Sequence, residues 1–157
     1  MTATYQMVRD LGWDYFEGLA KQKIMQVQSS ADPPKKLVLG ERAVMADGNE
    51  YNIFELKESG QPVDVVYATE GSPLIVGPNG IFKTAPNPNA ARLFQSYCFS
   101  AEAQQYAISG LRSLHPNTKE KPGRKPLSQI MTMKDDPAGV ERGADEIKAG
   151  YSKIFRV

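Results

Sequence analysis

The sequence has little cysteine, little histidine and no long apolar run. Its 157 residues include one cysteine, Cys98, and one histidine, His115. One cysteine cannot form an intrachain disulfide, and so few soft ligands exclude zinc fingers and histidine-rich metal cages. No stretch approaches the roughly 20 apolar residues that a membrane-spanning helix needs. The first 13 residues lack the basic head and apolar run of a secretory signal, so we expect no signal peptide in this chain.

The sequence also lacks an excess of charge of one sign. Nineteen Lys and Arg residues face 18 Asp and Glu residues, which gives a formal net charge of +1. A nearly neutral chain has no long-range field that would draw it to a phosphate backbone, so we expect no nucleic-acid partner. The basic run at residues 119–125 has no interleaved aromatic residues and predicts a solvated loop.

Short helical and extended patterns alternate through residues 4–67. Apolar residues recur every three or four positions through residues 4–21, which predicts one amphipathic helix. Further helices are predicted from Asp32 and from Asp47, where Glu50 follows three residues later as in a capping box. Short strands are predicted at residues 24–28, 42–46 and 63–67. Strands that alternate with helices predict an α/β fold, with a parallel-rich sheet covered by helices on both faces.

The pattern changes after residue 67. Residues 74–77, 81–83 and 127–133 predict extended chain. Asn87–Pro88 and Asp136–Pro137 are typical helix starts, and Ser100 predicts the cap of another helix. This part of the sequence is therefore expected to be mainly helical.

Three of the predicted helices begin with short stretches that are mostly polar. Their residues are Thr2, Ala3, Thr4, Ser29, Ser30, Asn49, Glu50 and Tyr51. Helix N-termini at the carboxyl edge of a parallel sheet present free N–H groups and a positive dipole end, which bind anions and polar ligands. The same residue types also cap helices for local reasons, and capping is the commoner role of any one of them.

Glu70, Gly71 and Ser72 follow the predicted strand at residues 63–67 and would lie at the same sheet edge. Glu70 could serve as an acid, a metal ligand or a counter-ion to an ammonium group, or it could be an ordinary turn carboxylate. Tyr51 could present its phenol to a ligand or pack beside Phe54, and the helical spacing favours packing.

Nine short motifs occur in an order that is typical of one family. They are GWDYF at 12–16, VQSS at 27–30, GERAV at 40–44, EGSPL at 70–74, NPNAARLF at 87–94, SAEAQ at 100–104, PLS at 126–128, KDDP at 134–137 and IF at 154–155. The chain resembles the C-terminal half of a periplasmic solute-binding protein of an ABC importer, of the ferric-ion-binding, family 1 type. The resemblance covers nearly the whole sequence.

The resemblance implies a type II two-lobed clamshell that closes around its ligand without catalysis. Residues 1–72 would be a second-lobe α/β unit, 73–84 a strand segment that crosses the hinge, and 85–157 the helices and tail of an incomplete first lobe. It further implies a membrane permease as partner, a periplasmic full-length parent and no resident cofactor.

The resemblance also bears on the identity of the solute. Iron-binding members carry paired tyrosines; Tyr51 matches the first of them, and Asn52 replaces the second. Tyr51 is thus the metal ligand that the resemblance implies. A hard ferric ion prefers several anionic oxygen ligands, so an organic or phosphonate-like solute is at least as well supported as ferric ion.

Two other functions stay open. A small α/β hydrolase or transferase would use Glu70 with Tyr51, although the sequence lacks a usable histidine–nucleophile pair. A truncated remnant without ligand binding would persist as a homodimer, in which apolar helix faces at residues 87–110 and 137–151 cover each other.

Overall fold

The computed structural model describes residues 1–46, 48–107, 110–113 and 115–157. The chain divides into two compact units, and each is made of separate stretches of sequence. The first unit comprises Met1–Gln26, Tyr67–Val76 and Ile130–Val157, and the second comprises Val27–Val66 and Gly77–Gln129. The division expected at residues 72 and 85 stays a prediction.

Helices are the regular elements of both units. The first unit contains α1 (Thr2–Leu11), α2 (Trp13–Ala20) and α7 (Pro137–Phe155). The second contains α3 (Asp32–Val38), α4 (Glu50–Glu58), α5 (Pro88–Cys98), α6 (Ala101–Ala107) and a short 3₁₀ helix (Leu127–Gln129). None of the described helices combines the length and the apolar character that a bilayer span requires.

Gln6 of α1 is completely buried in the first unit. Its side-chain Nε2 donates to the Leu74 carbonyl at 3.2 Å, and its Oε1 accepts from the Leu74 N–H at 3.2 Å. The carboxamide therefore satisfies both backbone groups of Leu74, as a neighbouring strand would have done. These two hydrogen bonds join α1 to a segment that is 68 residues away in sequence.

The long helix α7 packs against α1 and α2 through a face that contains glycines. Asp136 caps the helix, since its Oδ1 accepts from the Gly139 N–H at 2.9 Å. A Cβ added at Gly139 would overlap the Tyr5 hydroxyl, and one added at Gly150 would overlap the Trp13 ring. Glycine at these positions lets the two aromatic side chains lie directly against the helix backbone.

Aromatic packing fills the rest of this contact. Phe16 of α2 is 4% exposed, and its ring centroid lies 5.7 Å from that of Trp13, 6.3 Å from Tyr151 and 6.4 Å from Phe155. Such tilted and edge-to-face pairs add about 0.5–1.5 kcal/mol each beyond the burial of apolar area. The hydrogen bonds of Gln6 and this aromatic cluster both stabilise the first unit.

The second unit has a smaller apolar core around α4. Ile53 and Phe54 are 3% and 6% exposed, and the Arg124 guanidinium lies 4.6 Å from the centre of the Phe54 ring. By contrast, helices α5 and α6 expose large apolar side chains, which are Leu93, Phe94, Tyr97 and Tyr106.

The predicted α/β fold with a parallel-rich sheet is wrong for the described residues, which are 48% helix and 1% strand and form no sheet. A single parallel bridge between Ser72 and Thr132 is the strand pairing that the structure shows there. Strands need partners for their N–H groups, and local groups take several of these instead. The Val63 N–H bonds to the Gln61 carbonyl, and the Val65 N–H bonds to the Asp64 carboxylate.

Other predicted strands also lack the partners of a sheet. The backbone of Leu74 in the segment 74–77 is bonded by Gln6. In the segment 127–133, residues 127–129 form the 3₁₀ helix, and among the described residues the pairing of residues 131–133 is limited to the bridge with Ser72. Residues 24–28 and 42–46 are mostly exposed, whereas the strands of a covered parallel sheet are buried on both faces.

The helix predictions were more accurate. Helices begin within a residue of the positions that Asp32, Asn87–Pro88, Ser100 and Asp136–Pro137 predicted. The capping residue predicted for α4, Asp47, lies outside the described residues. The single helix expected over residues 4–21 is in fact two helices. Gly12 separates them, because its φ of 76° lies in the left-handed region, where an α-helix cannot continue.

Replacing Gly150 with alanine tests the close contact between α7 and Trp13. We expect Gly150→Ala to lower the free energy of unfolding by about 1–3 kcal/mol, because the new methyl overlaps the Trp13 ring. Gly18→Ala in α2 is the matched control, since no atom lies within 4 Å of a Cβ there. It should raise stability by about 0.5–1 kcal/mol through helix propensity. Equal effects of the two changes in urea unfolding would contradict the packing described.

Candidate functional site

The first turn of α1 is the candidate ligand contact in the first unit. Thr2, Ala3 and Thr4 are half-buried there. Met1 at the N-cap makes no side-chain capping bond, and no acidic residue lies in the first turn. The leading N–H groups of a helix have no partner within the helix. This end of α1 can therefore donate backbone and hydroxyl hydrogen bonds to an anionic or polar group.

One hydrogen bond holds this turn against the cap of α7, and a second bond fixes the cap itself. The Tyr5 hydroxyl donates to Asp136 Oδ2 at 3.0 Å, and Gly139 donates to the other oxygen of the same carboxylate. Both bonds favour the charged carboxylate and hold the pKa of Asp136 below its usual value. The same contact raises the pKa of Tyr5. The Asp136 carboxylate therefore has a structural role, since each of its oxygens accepts a hydrogen bond.

Hydrogen bonds between α1 and the segment 134–136 fix the direction of that segment. Arg9 Nη1 donates to the Lys134 carbonyl at 2.8 Å, whereas Tyr5 contacts Asp136. Residues 134–136 therefore run antiparallel to α1.

Ser72 and Thr132 form a parallel bridge, so the segment 72–74 runs in the same direction as residues 132–136 and is also antiparallel to α1. Since Leu74 lies at Gln6, this register directs Ser72 to the side of Gln6 opposite the first turn of α1. The described residues form no sheet, so they have no common sheet edge of the kind expected for the two sets of predicted residues, 2–4 and 70–72.

Glu70 and Ser72 make hydrogen bonds within the first unit. The Ser72 N–H donates to the Met131 carbonyl and its carbonyl accepts from the Met133 N–H, both at 2.9 Å. Gly71 is buried with a φ of 116°, which a side chain would strain. Glu70 bonds to its own backbone N–H and to the Thr69 hydroxyl, and these bonds lower its pKa. Glu70 is therefore suited to remain a carboxylate rather than to act as an acid.

The remaining predicted residues lie in the second unit. Ser29 Oγ accepts from the Ala31 N–H at 3.2 Å, so this serine shapes the turn before α3, and Ser30 is exposed beside it. Asn49 is the N-cap of α4 without a side-chain capping bond, and Tyr51 is half-buried in the first turn.

Glu50 is engaged in a network that the sequence did not reveal. Arg112 Nε and Nη2 donate to its two carboxylate oxygens at 2.5 and 3.2 Å, and Arg112 Nη1 donates to Glu120 at 2.8 Å. The Arg112 side chain is only 8% exposed. Lys121 pairs with Glu58 at the other end of α4. These pairs attach Arg112 and Lys121 to α4, and they leave Glu50 paired with a cation.

The Arg112 network carries a direct prediction. Arg112→Met should lower the free energy of unfolding by about 3 kcal/mol, because it leaves two carboxylates facing each other without their shared cation. Arg92→Met is the matched control, since Arg92 lies exposed on α5 and donates over 3.4 Å to Asn89. That change should stay within about 0.5 kcal/mol. The network would be unimportant if urea unfolding gave both variants the stability of the wild type.

A metal centre would need several converging ligands. The described part of the chain contains no group of three or more His, Cys, Asp or Glu residues that could hold a metal ion. Tyr51 is the predicted phenolate ligand, and its neighbour Glu50 is bound to Arg112.

Comparison with known proteins identifies the family. Residues 6–141 match the family described as bacterial extracellular solute-binding protein. No curated protein and no solved structure matches the chain. The matched region covers most of both units, and the suspected resemblance to a solute-binding protein is confirmed. The chain therefore belongs to the bacterial extracellular solute-binding protein family.

Proposed function

We propose that this chain is a solute-binding component of an ABC-type importer and that it holds a small organic anion at the first turn of α1. The family has a solute-binding role in ABC import. The observation that carries the finer proposal is the start of α1, where Thr2 and Thr4 accompany N–H groups that no side chain caps. A carboxylate or phosphonate-like group complements this end of the helix.

The surroundings of the turn support this choice. Gln6 lies one helical turn farther along α1 and is fixed by Leu74, while Tyr5 is fixed by Asp136. These contacts hold the N–H groups in place before a solute arrives, which lowers the entropic cost of binding. The other predicted sites lack such a combination: Glu50 is paired with Arg112, and the Ser72 backbone is bonded to residues 131 and 133.

An organic anion is a better candidate than ferric ion. Ferric ion prefers several anionic oxygen ligands, and Tyr51 is followed by Asn52, which brings no negative charge. The nearby carboxylate of Glu50 is already neutralised by Arg112. We therefore propose ferric ion only as a competitor to be tested beside organic anions.

The proposal includes a permease partner and no catalysis. The family is in general non-catalytic. The alternative enzyme would pair Glu70 with Tyr51, which belong to different units. Glu70 has a lowered pKa and is a poor proton donor at neutral pH. The family is extracellular or periplasmic, so a membrane permease would receive the solute from the binding protein on that side of the membrane.

Thermal unfolding with a panel of solutes tests the proposal. A small carboxylate or phosphonate at about 100 times its Kd should stabilise the chain by about 2.7 kcal/mol, which raises Tm by roughly 5–10 °C. Ferric citrate should give no larger shift than citrate. If no anionic solute raised Tm, the proposed solute class would be wrong.

A pair of isosteric variants locates the site. Thr2→Val removes a hydroxyl that would bond the anion and should weaken binding about tenfold, without changing the helix. Thr84→Val is the control, because Thr84 is exposed in the second unit. Equal affinities of the two variants in calorimetry would place the solute elsewhere.

We propose self-association as a second candidate role, because α5 and α6 expose Leu93, Phe94 and Tyr106, by 75%, 67% and 85%. The other face expected to drive a dimer belongs to α7, which instead packs its Ile147 into the first unit. Sedimentation should show dimers that Leu93→Ser with Phe94→Ser converts to monomers. A wild-type monomer at high concentration would exclude this role.

A further inference from the structure

A groove in the first unit lies between the end of α2 and the end of α7. It has a volume of about 700 Å³, which is within the range of small-molecule pockets. Its apolar lining includes the half-buried side chains of Ile24, Ile154 and Phe155. The Phe155 ring is packed in turn against Tyr151, with centroids 4.5 Å apart. The apolar part of the groove is therefore continuous with the aromatic cluster of the unit.

The charged residues of the groove are mostly positive. Lys21, Lys153 and Arg156 line it together with one carboxylate, Glu17, which leaves two net positive charges. Within the described chain, none of the three cations forms an ion pair. An apolar lining beside unpaired cations complements a ligand with a hydrocarbon body and a negative head.

The backbone adds a second observation. Of the described non-glycine residues, Lys23 and Arg156 have a positive φ, of 53° and 57°. Arg156 lines the groove, and Lys23 lies between two residues that line it. A glycine would adopt either conformation at lower cost. A cation near a helix C-terminus interacts favourably with the helix dipole. That interaction does not require the cationic residue itself to adopt the left-handed conformation, which strains the backbone of a residue with a side chain.

We propose that this groove binds a small organic anion with an apolar body. Its carboxylate would meet Lys21, Lys153 and Arg156, and its hydrocarbon part would cover Ile24 and Phe155. The groove uses none of the residues proposed for the transported solute, so the two proposals stand or fall separately.

Matched eight-carbon probes test the ligand class on the full chain. Octanoate should shift the amide NMR signals of residues 20–24 and 153–156, and it should bind at least about tenfold more tightly than octylammonium, which has the opposite charge. Equal affinity of the two probes, or shifts confined to other residues, would overturn the proposal.

Arg156→Gly separates binding from helix capping. Glycine suits the left-handed C-cap, so the variant should have a higher Tm than the wild type and yet bind octanoate about fivefold more weakly. Lys148→Ala removes an exposed charge from the same helix outside the groove and should leave octanoate affinity unchanged. The proposal fails if Arg156→Gly retains full affinity, or if both variants lose affinity equally.

Discussion

The buried carboxamide of Gln6 is the interaction on which the first unit depends. Burying an amide costs free energy unless its donor and acceptor are both bonded. Gln6 meets this condition through the N–H and carbonyl of Leu74, with Asp135 at 3.5 Å as a further acceptor. A side chain here replaces the hydrogen bonds that a second strand would make, which is why Leu74 can be held in the unit without a sheet.

The position of α1 determines how α7 packs in the first unit. Once Gln6 fixes the helix, Tyr5 reaches the cap of α7, and the glycine face of α7 lies against aromatic rings. The second unit is held differently, since Arg112 and its two carboxylates supply charge pairs around a small core. The first unit thus offers a fixed helix start for the proposed solute, and α4 offers a helix start whose carboxylate is already paired.

The sequence predicted what depends on neighbouring residues and missed what depends on distant ones. The starts of α5 and α7 follow from Asn87–Pro88 and Asp136–Pro137, because capping and proline geometry are local. The strand predictions were wrong, because short β-branched runs do not specify which strand they pair with. Several backbone groups of these segments bond instead to neighbouring residues or to Gln6. Glu50 and Arg112 are 62 residues apart, and no local pattern signals their pairing. The helix start at Thr2–Thr4 was predicted as a candidate site. The side of Gln6 on which Ser72 lies depends on the pairing of Ser72 with Thr132, which no local sequence pattern predicts.

The role of Gln6 is tested most directly by native-state hydrogen exchange at the Leu74 amide. In the wild type we expect this amide to exchange only when the first unit unfolds, and in Gln6→Leu to lose its protection together with the Met133 amide. Gln22→Leu should change neither amide, because Gln22 is exposed at the end of α2. A Leu74 amide that exchanges in the wild type as rapidly as an exposed loop amide, or that stays protected in Gln6→Leu, would contradict the account.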